Sequence, residues 1–433
     1  MVFRRLGEIT MKKLRYYIEN NLSLPKILIL AFVLRLIWIL VIKTVPTSDF
    51  KLMYETGKLA SEGNFAAFHG LSYFNLFPHD SITVLYYSLF FKITNNPLFL
   101  IKFMNVVYET FVVYMIYVIG KNIYNKNLAK LGAFLIAIFP PFIMYCSETM
   151  AEHMAIPFFL VSVYFFIKFI DTDSILFIFL SGIFLSLGDL FRPVGIIFFI
   201  AYLIYFVIKK LILQRKKYLI KLLAFIILII GCALPTVILS NILVKADILQ
   251  NQIWQPAEPS ITTVLKGTNF EALGAWNVED AKVPSECHFN AKLTTEKSMQ
   301  LIKQRFESHS IPEIIKFYAE KTFLQWGIGD YGAYGWTVLN NAGESALKAP
   351  SAVVIATISY IIISLYYIFI LVFAVKGIFN LKNSKQKGKV MFIYLILLGF
   401  IGFYMLTERQ SRYSFVCSWT LILTALNGFK LKE

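Results

Sequence analysis

The chain has 433 residues, 58% of them hydrophobic, with 41 Phe and a mean hydropathy of +0.65. A soluble domain cannot bury that fraction, so the composition excludes an ordinary soluble enzyme and reads as a polytopic membrane protein. The net charge of +16 does not signal a nucleic-acid partner, because the Lys and Arg residues gather in short clusters beside apolar runs, where they orient a chain in a bilayer.

A helix needs about 20 residues to cross the hydrocarbon, and about ten stretches approach that length. They are 27–45, 98–120, 129–147, 154–170, 175–191, 194–208, 218–243, 351–375, 389–406 and 413–428. The basic N-terminus imitates a signal peptide, but Arg35 interrupts the apolar stretch and many spans follow, so it is read as an uncleaved first helix. Just past it, Thr47-Ser48-Asp49-Phe50-Lys51 begins an amphipathic helix that holds the Asp49 carboxylate near the lipid headgroups. The bland reading of Asp49 is an N-cap of its own helix. The apolar stretch 81–95 is short, at roughly 22 Å, and reads as an interfacial or re-entrant helix.

With 81–95 on the outer surface, the cytoplasmic pieces hold 23 of the 42 Lys and Arg and five of the 26 acids. The outer loops 46–97 and 245–350 hold 13 basic and 16 acidic residues. That asymmetry places both termini in the cytoplasm. The expected architecture is therefore an all-α polytopic membrane protein. It comprises an N-terminal transmembrane module (1–244) with a first outer loop (46–97), an extracytoplasmic α or α+β domain (245–350), and C-terminal transmembrane helices (351–433). Cys146, Cys232 and Cys417 lie in apolar stretches and Cys287 stands alone in the polar region, so no disulfide or zinc site is expected.

Among the charges left near the spans, Arg35 and Glu109 lie deep in consecutive helices and are read as a structural ion pair. Lys43, at the end of its span, simply snorkels. Glu408, Arg409, Arg412 and Tyr413 share one tight outer turn, where planar guanidinium forks suit a phosphate. Arg192, in Asp189-Leu-Phe-Arg-Pro193, either binds the same anion or pairs with Asp189. Glu148, Glu152 and His153 share one helix end, but a lone His with carboxylates is a weak metal set; no metal site and no cofactor is assigned, and a divalent cation is left open. His79 and Asp80 either hydrogen-bond a substrate or precede a helix that Asp80 or Ser81 caps. Asn269, Trp276 and Asn277 lie in a glycine-interrupted stretch that either faces a sugar or makes a folded turn. Trp276 and Trp336 either stack on saccharides or fill a core.

The order of these features resembles the GT-C glycosyltransferases, among them the bacterial relatives of dolichyl-phosphate-mannose protein mannosyltransferases and aminoarabinose transferases. The matching elements begin with Ser48-Asp49 and its surface helix, Tyr73 to Pro78 before a second one, Phe139-Pro140-Pro141, and Tyr145-Cys-Ser-Glu-Thr-Met-Ala-Glu152. They continue with Phe191-Arg192-Pro193, Gly267-Thr268-Asn269, Gly274-Ala-Trp276-Asn277, and the turn from Glu408 to Tyr413. Asp49 is followed by Phe50 where the family often carries an acidic pair. The resemblance implies an inverting transferase moving a sugar from a polyprenyl-phosphate carrier to a glycan, lipid or protein acceptor on the outer face. Asp49 would then be general base, with Arg192, Arg409, Arg412, Tyr413 and Lys102 on the donor phosphate. A polymerase or ligase using polyprenyl-diphosphate-linked glycans would share the phosphate site. A flippase of lipid-linked saccharides would need polar residues along a path through the bilayer, which this chain lacks.

Overall fold

The computed structural model describes residues 21–208, 218–339, 351–383 and 386–429. The basic clusters at 1–20 and 209–217, used above for orientation, lie outside them. Among the described residues there is no strand, so the segment after 245 is α rather than α+β there.

Helix α1 (Leu24–Val41) opens on Pro25, which suits a first turn because its missing N–H would be unpaired there. Helices α2 (Ser48–Ser61) and α3 (Ser81–Ile93) follow; α3, with 13 residues, is too short to cross a bilayer. Helix α4 (Pro97–Ile123) is capped by Asn96, whose Oδ1 accepts from Phe99 N at 3.3 Å. Helix α5 (Lys126–Ala137) is capped in the same way by Asn125. The middle of the chain continues with α6 (Glu152–Thr172), α7 (Ile175–Phe191), α8 (Gly195–Tyr205) and α9 (Tyr218–Lys245). A cluster of four helices comes next: α10 (Ile261–Gly267), α11 (Val278–Glu286), α12 (Ala291–Glu307) and α13 (Ile311–Trp326). The chain closes with α14 (Ser351–Phe379), α15 (Lys387–Leu406), a 3-10 stretch Ser411–Cys417 and α16 (Trp419–Gly428).

By length and composition, six of these helices are candidate membrane spans: α1, α4, α6, α9, α14 and α15. The expected span 129–147 is instead a broken one. Helix α5 stops before Pro140 and Pro141, which lack a backbone donor and crowd the preceding turn, and the chain resumes after a bend of 62°. The expected span 413–428 is likewise divided between the 3-10 stretch and α16.

The bend explains the deepest charge. Arg35 is fully buried, and its Nη1 donates to the carbonyls of Ala31 and Ala137, both at 3.0 Å, while Nη2 donates to Ile136 at 3.3 Å. Ile136 and Ala137 end α5, where carbonyls have no partner within their own helix. The expected Arg35–Glu109 ion pair is therefore corrected: Arg35 caps the broken span. Glu109 Oε1 is held by His153 Nδ1 at 2.7 Å, and the other ring nitrogen of His153 lies 2.8 Å from the Tyr145 carbonyl.

Elsewhere the bundle is held by close packing. Helices α7 and α9 cross at glycines: a Cβ on Gly182 would stand 2.7 Å from Leu228 O, and one on Gly231 2.7 Å from Phe179 O, so only small residues permit this approach. The α10–α13 cluster is built around Asp280, which accepts from Asn269 at 3.1 Å, Asn277 at 2.9 Å and Arg305 at 2.5 Å. It is tied to the end of α15 by Lys321, whose Nζ donates to Met405 O and Thr407 O, each at 2.8 Å, and to Gly267 O. Gln325 Nε2 adds bonds to Gln410 O at 2.8 Å and Ser414 Oγ at 2.6 Å.

Candidate active site

Two turns distant in sequence meet at one end of the bundle: the start of α2 and the stretch 408–417. Ser48, at φ +50°, turns the chain into α2. The capping position belongs to Thr47, so Asp49 sits inside the first turn, where the positive end of the helix dipole favours a carboxylate. Phe50 then packs edge-on against Trp336, ring centroids 5.4 Å apart. Against these rings lies the Arg412 guanidinium, 4.6 Å from the Phe50 centroid, 5.2 Å from Trp336 and 5.5 Å from Tyr413. Its Nε and Nη2 both donate to Gln410 Oε1, at 3.2 and 3.1 Å. The rings fix the plane of the guanidinium while leaving donors for an anion.

A second guanidinium stands beside the same phenol. Arg192 lies 4.8 Å from the Tyr413 centroid, and its Nε is 3.4 Å from Glu152 Oε1. The alternative partner named above, Asp189, instead accepts from Gly195 N at 2.6 Å. Tyr413 donates its hydroxyl to Glu408 Oε1 at 3.1 Å. Asp80 accepts from the Tyr73 hydroxyl at 3.4 Å, and its Oδ1 is 3.7 Å from His79 Nε2. Asp80 occupies the N-cap position of α3 without a side-chain capping bond.

The charges act on one another. Asp49 is open to solvent on one side and crowded on the other. This partial burial raises its pKa above the ordinary value of 3.8; Arg412 pulls against the rise and Asp80 adds to it. Burial lowers the His79 pKa, with Asp80 opposing and Arg192 contributing. Burial raises that of Glu408, against Lys266. Glu148 is pushed up to about 7 by burial, opposed by the Thr149 N–H and Lys102.

The structure thus brings together Asp49, His79, Asp80, Glu152, Arg192, Arg412 and Tyr413. Lys102 and Glu148 lie behind them: Lys102 donates to the Thr44 carbonyl, and Glu148 Oε1 accepts from Thr149 N at 2.9 Å. Other candidates stand apart. Arg409 turns to the helical cluster, its Nε on Leu273 O at 2.9 Å. His153 is enclosed with Glu109, Asn269 and Asn277 serve Asp280, and Trp276 lies exposed on the cluster. Phe50, Tyr73 and Gln410 were not anticipated, and Trp336 was left between two roles. Phe50 adjoins Asp49, but nothing in the sequence couples Trp336 to a residue 76 positions away (412 − 336). Among the described residues no group of three or more His, Cys, Asp or Glu is arranged to hold a metal ion.

Comparison with known proteins adds to this geometry. Residues 82–232 match the family model of dolichyl-phosphate-mannose-protein mannosyltransferase, a stretch holding Lys102, Glu148, Glu152 and Arg192 but not Asp49 or Arg412. The archaeal oligosaccharyltransferase AglB from Archaeoglobus fulgidus, in complex with an inhibitory peptide and a dolichol-phosphate, superposes with a TM-score of 0.51 at 14% identity. The match covers 93% of this chain and 49% of that one. The fold of this chain is thus shared with that oligosaccharyltransferase. An apo form of the Archaeoglobus oligosaccharyltransferase matches this chain with a TM-score of 0.50 at the same identity and coverage. ArnT from Cupriavidus metallidurans bound to undecaprenyl phosphate gives 0.40 at 11% identity, over 93% of this chain and 76% of that one. The chain spans about half the length of the oligosaccharyltransferases it matches. No curated protein matches it by sequence.

Proposed function

We propose that the protein is an inverting glycosyltransferase that moves a sugar from a polyprenyl-phosphate carrier to a glycan, lipid or protein acceptor at the outer face of the membrane. The observation that carries this reading is the meeting of one solvent-open carboxylate, Asp49, with two guanidinium groups disposed about Tyr413. In the reaction the acceptor O–H or N–H attacks the anomeric carbon, and Asp49 takes its proton. The bond from that carbon to the phosphate oxygen breaks, and the electron pair leaves with the polyprenyl phosphate. A phosphate departs without protonation, so one base suffices where a glycosidase needs two carboxylates. Arg412 and Arg192 stabilise the negative charge growing on the leaving oxygen.

Further support comes from the surroundings. An apolar groove of about 300 Å³ lies between α3 and α9, lined by Ile82, Leu85, Tyr86, Leu89, Leu239 and Leu243, and suits an isoprenoid chain. AglB is a transferase solved with dolichol-phosphate. The positive-inside asymmetry supports cytoplasmic termini, about ten passes counting the shorter and broken helices, and a 245–350 segment outside.

The test is transfer by purified protein from a synthetic polyprenyl-monophosphate sugar, with mass spectrometry of envelope glycans from cells with and without the gene identifying sugar and acceptor. Transfer only from a diphosphate carrier would favour the polymerase or ligase reading. Lipid translocation without transfer would favour a flippase.

A further inference from the structure

Helix α13 (Ile311–Trp326) belongs to the helical cluster, yet only one of its three sides is buried. That side carries Phe317, Lys321 and Gln325. Ile311, Ile315, Ala319 and Phe323 recur at four-residue intervals and drift slowly round a second side. The three large residues are 74%, 65% and 67% exposed. Glu313, Lys316 and Glu320 form the third side, with Lys316 and Glu320 3.8 Å apart. A solvated helix has no use for an apolar strip beside a charged one, whereas a helix lying in a membrane interface needs both.

The placement of the helix says what covers the strip. Lys321 and Gln325 are bonded to Met405, Thr407 and Gln410, at the end of candidate span α15. Leu406, the last residue of that span, is 56% exposed, and Ile328, just beyond α13, is 42% exposed. The buried side of α13 is thus anchored where candidate span α15 ends, and both elements carry exposed apolar residues there, Leu406 on one and Ile311, Ile315 and Phe323 on the other. A capping box at Ser310 and Glu313 fixes the far end of the helix, so Ile311 and Ile315 are held out in register with Phe323.

We infer that α13 docks on the lipid leaflet, with Ile311, Ile315 and Phe323 among the upper acyl carbons and the Glu313, Lys316 and Glu320 side toward water. The inference does not depend on the transferase reading. Its consequence is positional: α13 also grips residues 405–414, so lipid contact sets the depth of the turn that carries Arg412.

Nitroxide labels on single cysteines replacing Ile311, Ile315, Phe323, Glu313, Lys316 or Glu320, in a background without the four native cysteines and reconstituted in phospholipid nanodiscs, test it. Collision rates with oxygen, which concentrates in lipid, and with a water-soluble nickel chelate are compared. The oxygen-to-nickel ratio is expected to be severalfold higher at 315 and 323 than at 313 and 316. Equal ratios on the two sides would overturn the inference. So would shielding of 315 and 323 from both reagents, which would mean that a second copy or another protein covers the strip. As a check in native membranes, a benzophenone side chain at position 315 of the otherwise unaltered chain should form phospholipid adducts on illumination, and adducts exclusively to protein would also refute it.

Discussion

At the scale of single residues, the proposed reaction assigns Asp49 as base and the guanidinium groups as an electrostatic clamp, and Arg412 acts on the Asp49 carboxyl. Asp49 works as a base only when ionised, so transfer should fall as pH drops through its pKa, which stands above 3.8. Arg412 opposes that rise. Arg412→Gln should therefore move the acid limb of the kcat/KM profile upward while weakening donor binding, and a limb left in place would show that the two groups do not communicate. Asp49→Asn keeps the shape of the first turn and should lower transfer by about 10²–10⁴-fold; near-normal turnover by the purified variant would remove the base assignment. Trp336→Ala takes one ring from Arg412 and should cost about 1 kcal/mol of donor affinity, read as a several-fold rise in KM. Asp49 and Arg412 could be singled out in the sequence because a carboxylate just past a span and a guanidinium in a short turn beside another stand out in an apolar chain, and the fold brings these two near one another. The ring that orients Arg412 could not, since aromatic residues are abundant throughout this chain and their pairings are made only by the fold.

At the scale of elements, the join between the helical cluster and α15 depends on close backbone approach. A Cβ at Gly267 would fall 2.4 Å from Leu406 O and 2.5 Å from Thr407 O. Neither of those carbonyls is a flexible side-chain end. Gly267→Ala should thus destabilise the join by about 1–3 kcal/mol, seen as faster proteolysis within 261–326 in detergent, whereas unchanged cleavage would show that the cluster docks by other contacts. Helix positions followed readily from apolar run lengths, but continuity did not: nothing in hydropathy distinguishes a straight 129–147 from one broken at Pro140, and the carbonyl partners of Arg35 arise only from that break. The motif 267–277 had the reverse fate, its polar residues being spent on Asp280 inside the cluster.

At the scale of the whole molecule, titration and stability are linked through Glu148. Its pKa in the folded chain is about 7 against an ordinary 4.5. Between these values the folded state holds a proton that the unfolded state releases. That contribution is complete below pH 4.5 and is lost as pH rises through 7. Glu148→Gln should flatten the dependence of the unfolding temperature on pH across this interval, and a curve parallel to that of the parent chain would place the titrating group elsewhere.

The capping of α5 by Arg35 also bears on how the chain is made. Arg35 leaves the ribosome ahead of Ala137, which receives it and follows 102 residues later. An arginine near the centre of a helix hinders insertion by about 2.5–3.5 kcal/mol. During that delay the guanidinium has only the Ala31 carbonyl of its own helix to bond, so nascent α1 should linger at the lateral gate until the broken span arrives to release it.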